Sequence, residues 1–197
     1  QEIFGVNSHI QGVVEQYALN GFVVLAPDLF WRQKKRIELG YEGEDRALGI
    51  DMMKKLTPAE IEADVKSSVS ALRARSETVA KVGAIGYCLG GRLAYIAAAV
   101  TDVNAAVAYY GGGIQELTGM AGTIKAPMQF HYAEKDDGIP TAAVDKVKGA
   151  MQGKPAEFFI YQGSTHGFNC WDRGSYDPRS AALAHGRSLA FFAQQLY

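Results

Sequence analysis

Cys88 stands in the run Gly83-Ala84-Ile85-Gly86-Tyr87-Cys88-Leu89-Gly90-Gly91, where a β-rich stretch gives way to a helical one. Glycines two residues to either side of it reproduce the G-x-S-x-G nucleophile elbow, with cysteine in place of serine. Side chains at those flanking positions would collide across the turn, so the motif needs small residues there. The turn lifts the nucleophile above a sheet edge and against a helix N-terminus, which favours developing negative charge and a thiolate. A buried core cysteine beside a glycine-rich turn is the other reading of this segment alone. An acid and a histidine follow in the order such an elbow uses. Asp136 and Asp137 lie in Ala133-Glu134-Lys135-Asp136-Asp137-Gly138, and His166 lies in Gly163-Ser164-Thr165-His166-Gly167-Phe168. In that order the three types suit acyl transfer. The histidine takes the thiol proton and later activates water, while the aspartate orients the imidazole.

The elements that must position these residues read as alternating strands and helices. Strand candidates are residues 22–26, 82–87, 105–110, 128–132 and 156–161, mostly unbroken apolar runs of the kind buried on both faces of a parallel sheet. Asn7 caps a helix that runs to about Leu19. Thr57-Pro58-Ala59-Glu60 reads as a capping box ahead of the stripe Ile61, Val65, Val69 and Leu72. Further helices follow Cys88, Thr141 and Asp177-Pro178. This alternation predicts a doubly wound α/β sandwich with right-handed crossovers. The candidate acid, base and nucleophile then share the carboxyl edge of the sheet, where open α/β sheets place ligands. Residues 32–49 are charged and lack a clean period; they read as a surface excursion, either a lid or pocket rim or a solvated connection.

Composition narrows the function classes. At 197 residues, one domain spanning 1–197 is the expectation. Twenty basic against twenty-one acidic residues give no electrostatic case for nucleic acid or an anionic membrane. No apolar run approaches the ~18 residues of a membrane span. Two cysteines cannot build a disulfide framework, which points to a reducing, cytoplasmic compartment. No His/Cys/Asp cluster has zinc spacing and no glycine-rich phosphate loop is present, so neither a metal nor a cofactor is expected. His9, His131 and His185 read as structural.

Several blocks resemble the dienelactone hydrolases (carboxymethylenebutenolidases): Gln1-Glu2-Ile3-Phe4-Gly5-Val6-Asn7, Ala26-Pro27-Asp28-Leu29-Phe30-Trp31-Arg32-Gln33, Gly86-Tyr87-Cys88-Leu89-Gly90-Gly91, Tyr109-Tyr110-Gly111 and Thr165-His166-Gly167-Phe168. The resemblance implies a three-layer α/β-hydrolase sandwich with a mostly parallel sheet and a cysteine nucleophile. It assigns Cys88 as nucleophile, His166 as base and Asp136 as acid, four residues before Pro140. It gives Glu2 a part in thiol activation and the N–H groups of Ile3 and Leu89 the oxyanion hole. It places Arg46 as a substrate-carboxylate ligand, with Phe4, Tyr110 and Phe168 lining the pocket. A second family arginine, four residues after the histidine, is replaced here by Cys170. The family carries strands before the block that begins at Gln1, so the chain reads as lacking its N-terminal strand or strands.

The resulting expectation is hydrolysis of a small ester or lactone through a thioester, by a monomer or homodimer. A thiol redox module using Cys88 with Cys170, and a non-catalytic small-molecule binder on the same fold, are the alternatives.

Overall fold

Four of the five apolar runs become strands in the computed structural model, which describes residues 1–197. They are β1 (Gly83–Tyr87), β2 (Ala105–Tyr109), β3 (Met128–Lys135) and β4 (Ala156–Thr165). All pair in parallel in the order β1-β2-β3-β4. They lie in a unit spanning Lys81–Tyr197, and Gln1–Ala80 forms a second unit.

Parallel strands are stable only with both faces covered, and neighbouring residues of β3 show how that is done. Phe130 stacks on Phe158 with ring centroids 4.5 Å apart and meets Tyr95 of the helix α4 (Leu89–Val100). The next residue, His131, points the other way. Its Nε2 pairs with Ser188 Oγ of the C-terminal helix α6 (Pro178–Leu196) at 3.2 Å, and its Nδ1 pairs with Tyr161 Oη at 2.8 Å. Helices therefore cover both faces, giving the three layers expected. The strands follow chain order without a reversal. The second face is covered by α6, not by a change in the direction of winding.

Local signals set the helix starts. Asp177 caps α6, its Oδ1 accepting the Arg179 and Ser180 N–H groups at 3.1 and 3.2 Å. Proline at the first helical position completes that start. The helix α5 (Thr141–Ala150) joins β3 to β4.

In the unit Gln1–Ala80, Asn7 caps α1 (Ser8–Leu19), accepting the Ile10 N–H at 3.4 Å. Its amide also donates to Leu39 O and Tyr41 Oη at 3.1 and 3.0 Å. The Thr57/Glu60 capping box forms in full at the start of α3 (Pro58–Arg73). The stretch 32–49, read as an excursion, contains instead the start of a helix, α2 (Gly43–Lys54). Its inward side is narrow: only Gly49 and Met52 are buried. A Cβ at Gly49 would fall on the Ile3 carbonyl oxygen, so glycine interrupts the apolar pattern that would otherwise mark the helix.

Residues 22–26 do not form a strand, contrary to expectation. β propensity is realised through a partner strand, and this unit holds only the isolated bridges Glu2–Gly5 and Gly5–Glu38. Val23 and Leu25 are left exposed.

Candidate active site

The backbone at Cys88 has φ 55° and ψ −114°, a conformation sparsely used by residues with a Cβ. Two constraints hold it there. Its N–H donates to Tyr109 O at 3.0 Å, and its carbonyl accepts the Gly91 and Arg92 N–H groups at 3.0 and 3.3 Å. A Cβ on Gly86 would coincide with Gly90 O, which is the collision that the elbow spacing implies. Cys88 thus stands as the N-cap of α4, half-buried and with a free thiol. Leu89 is the first residue of that helix, so its N–H has no acceptor within the helix.

His166 comes immediately after β4, which continues past the expected residue 161 as far as Thr165. Its Nδ1 lies 2.7 Å from Asp136 Oδ2. Asp136 follows directly on β3 and is 5 % exposed. Its other oxygen accepts the Gly138 N–H at 3.0 Å, so both oxygens are held. Asp137 is exposed and plays no part in this contact. Cys88 stands beside the imidazole and favours its charged form. Thiol, imidazole and carboxylate are therefore brought together at the carboxyl edge of β1, β3 and β4.

Burial opposes charge on the His166 ring. The Asp136 hydrogen bond, then the neighbouring Cys88, outweigh it and push the histidine up to about 10. The ring is therefore an imidazolium at neutral pH, with Asp136 on one side and Cys88 on the other.

Tyr110 and Phe168, expected to line a pocket, are fully enclosed, at 0 % exposure each. They form the seat of the imidazole and offer no open wall. The Tyr110 ring meets His166 edge-on with centroids 5.0 Å apart, and Phe168 lies 5.3 Å from Tyr110. Ser164, two residues before His166, was not singled out from the sequence. Its Oγ donates to Asp177 Oδ2 and contacts Ser180 Oγ, both at 2.9 Å, tying the end of β4 to the start of α6. An Asp-Pro helix start downstream was the only sequence signal for that tie.

The remaining expected residues belong to the unit Gln1–Ala80. Glu2 is 1 % exposed, Ile3 8 % and Phe4 1 %. The segment that carries them is tied down: Leu29 N–H donates to Gln1 Oε1 at 3.0 Å and Leu39 N–H to Phe4 O at 2.9 Å. Arg46 is exposed on α2. Cys170 is fully buried and, like Cys88, a free thiol. His131 belongs to the buried polar contacts with Ser188 and Tyr161 and not to the site. No group of three or more His, Cys, Asp or Glu side chains is placed to hold a metal. No helix is long and apolar enough to cross a membrane.

The sequence model described as the dienelactone hydrolase family matches residues 1–196. A provisionally assigned carboxymethylenebutenolidase of Azospirillum brasilense is 35% identical over 204 residues, covering all of this chain and 85% of its own length. A carboxymethylenebutenolidase of Pseudomonas sp. strain P51 is 32% identical over 190 residues, covering 96% of this chain and 80% of its own. Among solved structures, a provisionally assigned dienelactone hydrolase of Klebsiella pneumoniae is similar with a TM-score of 0.86 and 32% identity. That likeness covers 98% of this chain and 84% of the other.

Proposed function

Because the chain belongs to the dienelactone hydrolase family, we propose that it hydrolyses a small carboxylic ester or lactone through a thioester on Cys88. The observation that supports this most is the His166–Asp136 pair, with Cys88 on a strained elbow beside the charged imidazole.

The thiolate attacks the carbonyl carbon, and the carbonyl oxygen takes up negative charge. The Leu89 N–H at the α4 start is a donor for that oxyanion, and the family resemblance gives Ile3 N–H the same role. A donor of this kind contributes about 3–4 kcal/mol to the barrier in comparable enzymes. The His166 imidazolium gives its proton to the departing alkoxide, leaving the acyl group on sulfur. The neutral ring then takes a proton from water, whose oxygen attacks the thioester. The acid is released and the thiolate–imidazolium pair returns. Asp136 holds the ring in the one orientation that serves both steps. The resemblance carries Glu2 over to thiol activation and Arg46 to a substrate carboxylate; Glu2→Gln and Arg46→Gln test these two roles.

The experiment that tests the reading is an aryl-ester and lactone panel with Cys88→Ala and His166→Gln beside the unmodified protein. Turnover that disappears in both variants supports it, and turnover that survives in Cys88→Ala overturns it.

A further inference from the structure

Two non-glycine residues of the unit Lys81–Tyr197 have positive φ, Cys88 at 55° and Tyr110 at 34°. Such backbones persist only where the surroundings over-determine them. Each is anchored by its own N–H on the carbonyl of a neighbouring strand residue. Cys88 donates to Tyr109 O at 3.0 Å, and Tyr110 donates to His131 O at 2.7 Å. The side chains of the two anchor residues, Tyr109 and His131, meet at a single atom of α6. Ser188 Oγ lies 2.7 Å from Tyr109 Oη and 3.2 Å from His131 Nε2. The two rings are stacked, with centroids 4.5 Å apart, so Tyr109 is pinned at its hydroxyl and along its face.

One arrangement of hydrogens satisfies every group in this cluster. Arg187 Nη1 can only donate, and it does so to Tyr161 Oη at 3.0 Å. The Tyr161 hydroxyl then donates to His131 Nδ1 at 2.8 Å, which puts the ring hydrogen on Nε2, facing Ser188. Ser188 gives its own hydrogen to Ala184 O at 2.9 Å, so its oxygen accepts from both His131 and Tyr109. Burial first, and then the charge of Arg187, keeps the His131 ring neutral, as this arrangement requires. Tyr109, His131 and Ser188 are all fully buried, so removing the serine oxygen leaves two donors enclosed and unpaired.

One hydroxyl oxygen therefore stands behind both anchors. We propose that Ser188 is a positioning residue, which holds the Cys88 elbow through Tyr109 and the Tyr110 seat of His166 through His131. The inference rests on the ester-hydrolase reading for what the site turns over, but its first test needs no turnover.

That test is alkylation by iodoacetamide at neutral pH, followed by peptide mass mapping that reads Cys88 and Cys170 separately. A thiol held beside an imidazolium alkylates faster than one displaced from it. A general loosening acts in the other direction and exposes Cys170, which is fully buried. Ser188→Ala is expected to slow Cys88 roughly tenfold, short of the ~10²-fold that a misplaced group can cost, and to leave Cys170 unreactive. Tyr109→Phe cuts one of the two ties and leaves Ser188 bonded to His131 and Ala184, so it should fold even if Ser188→Ala does not. It should slow Cys88 by a smaller factor. Phe192→Leu, on the same helix but against Gly83 at the other end of β1, should leave Cys88 alkylation unchanged. Turnover of one aryl ester should follow the same order, in kcat with KM nearly constant. Cys88 alkylation unchanged in Ser188→Ala, or in Tyr109→Phe where Ser188→Ala fails to fold, overturns the assignment. So does an equal slowing in Phe192→Leu, or faster alkylation of Cys88 and Cys170 together. A protein that turns over no ester but whose Cys88 is slowed by Ser188→Ala would retain the positioning role and reject the hydrolase reading.

Discussion

The ring of Tyr110 stands edge-on to the imidazole of His166, centroid to centroid 5.0 Å at 62°, from a backbone with φ 34°. Few non-glycine residues adopt a positive φ, and a β-sheet end is held in one only by its surroundings. Here the Tyr110 N–H donates to His131 O at 2.7 Å, which anchors the strained residue to β3. The strained residue, the seat of the base and the end of β2 are thus the same feature.

Removing that seat should loosen the base without touching the acid. Tyr110→Ala is expected to lower kcat by as much as ~10²-fold with a smaller effect on KM, because a misplaced reacting group costs about that much. Tyr110→Phe keeps the ring and should retain most of the rate. Steady-state kinetics on one ester, with both variants shown to be folded by circular dichroism, checks this. Equal losses in the two variants would remove the positioning role.

Asp136→Asn should preserve the shape of the site and lose the charge. A ~10⁴-fold drop in kcat is expected, by analogy with the same change in a serine protease triad. The His166 pKa should fall from about 10, since the Asp136 hydrogen bond is the largest influence raising it. Titration of the His166 ring by NMR reads the second effect independently of turnover.

Stability should peak near neutrality for reasons traceable to two histidines. His166 is raised to about 10 from 6.5, so its stabilising contribution is full below about 6.5 and is lost as pH rises through about 10. His131 is moved the other way, to about 3, first by burial and then by Arg187. Its neutral form is favoured in the fold, so stability is lost as pH falls from about 6.5 toward 3. Urea denaturation across this range should show both limbs, and His166→Gln should flatten the alkaline one alone.

Gly86→Ala tests the elbow itself. The added methyl would coincide with Gly90 O, a backbone atom that cannot rotate away. Destabilisation of about 1–3 kcal/mol, the usual range for overpacking, is expected together with loss of turnover. A variant of unchanged urea midpoint and full activity would show that the turn is not confined as described.

The chemistry was more legible in the sequence than the scaffold. Gly86 and Gly90 around Cys88, and an acid and a histidine each placed just past an apolar run, are local signals, and the structure brings those residues together. Caps at Asn7, Thr57 and Asp177 were readable for the same reason, since each is a side chain bonding to its own next turn. Residues 22–26 misled because strand formation depends on a partner that no local pattern encodes. The helix α2 was hidden because its buried side is little more than Gly49 and Met52. Tyr110 and Phe168 were identifiable as important aromatics, but whether a ring faces a ligand or a neighbouring imidazole is a tertiary fact.

The covalent intermediate is the most direct test of the account. Acid quench of the protein during turnover of an activated aryl ester, followed by intact-mass and peptide mass spectrometry, should find one acyl group on Cys88. Hydroxylamine should remove it, as expected of a thioester, and Asp136→Asn or His166→Gln should alter its accumulation. An acyl group on another residue, or full turnover in Cys88→Ala with no acyl enzyme, would contradict it.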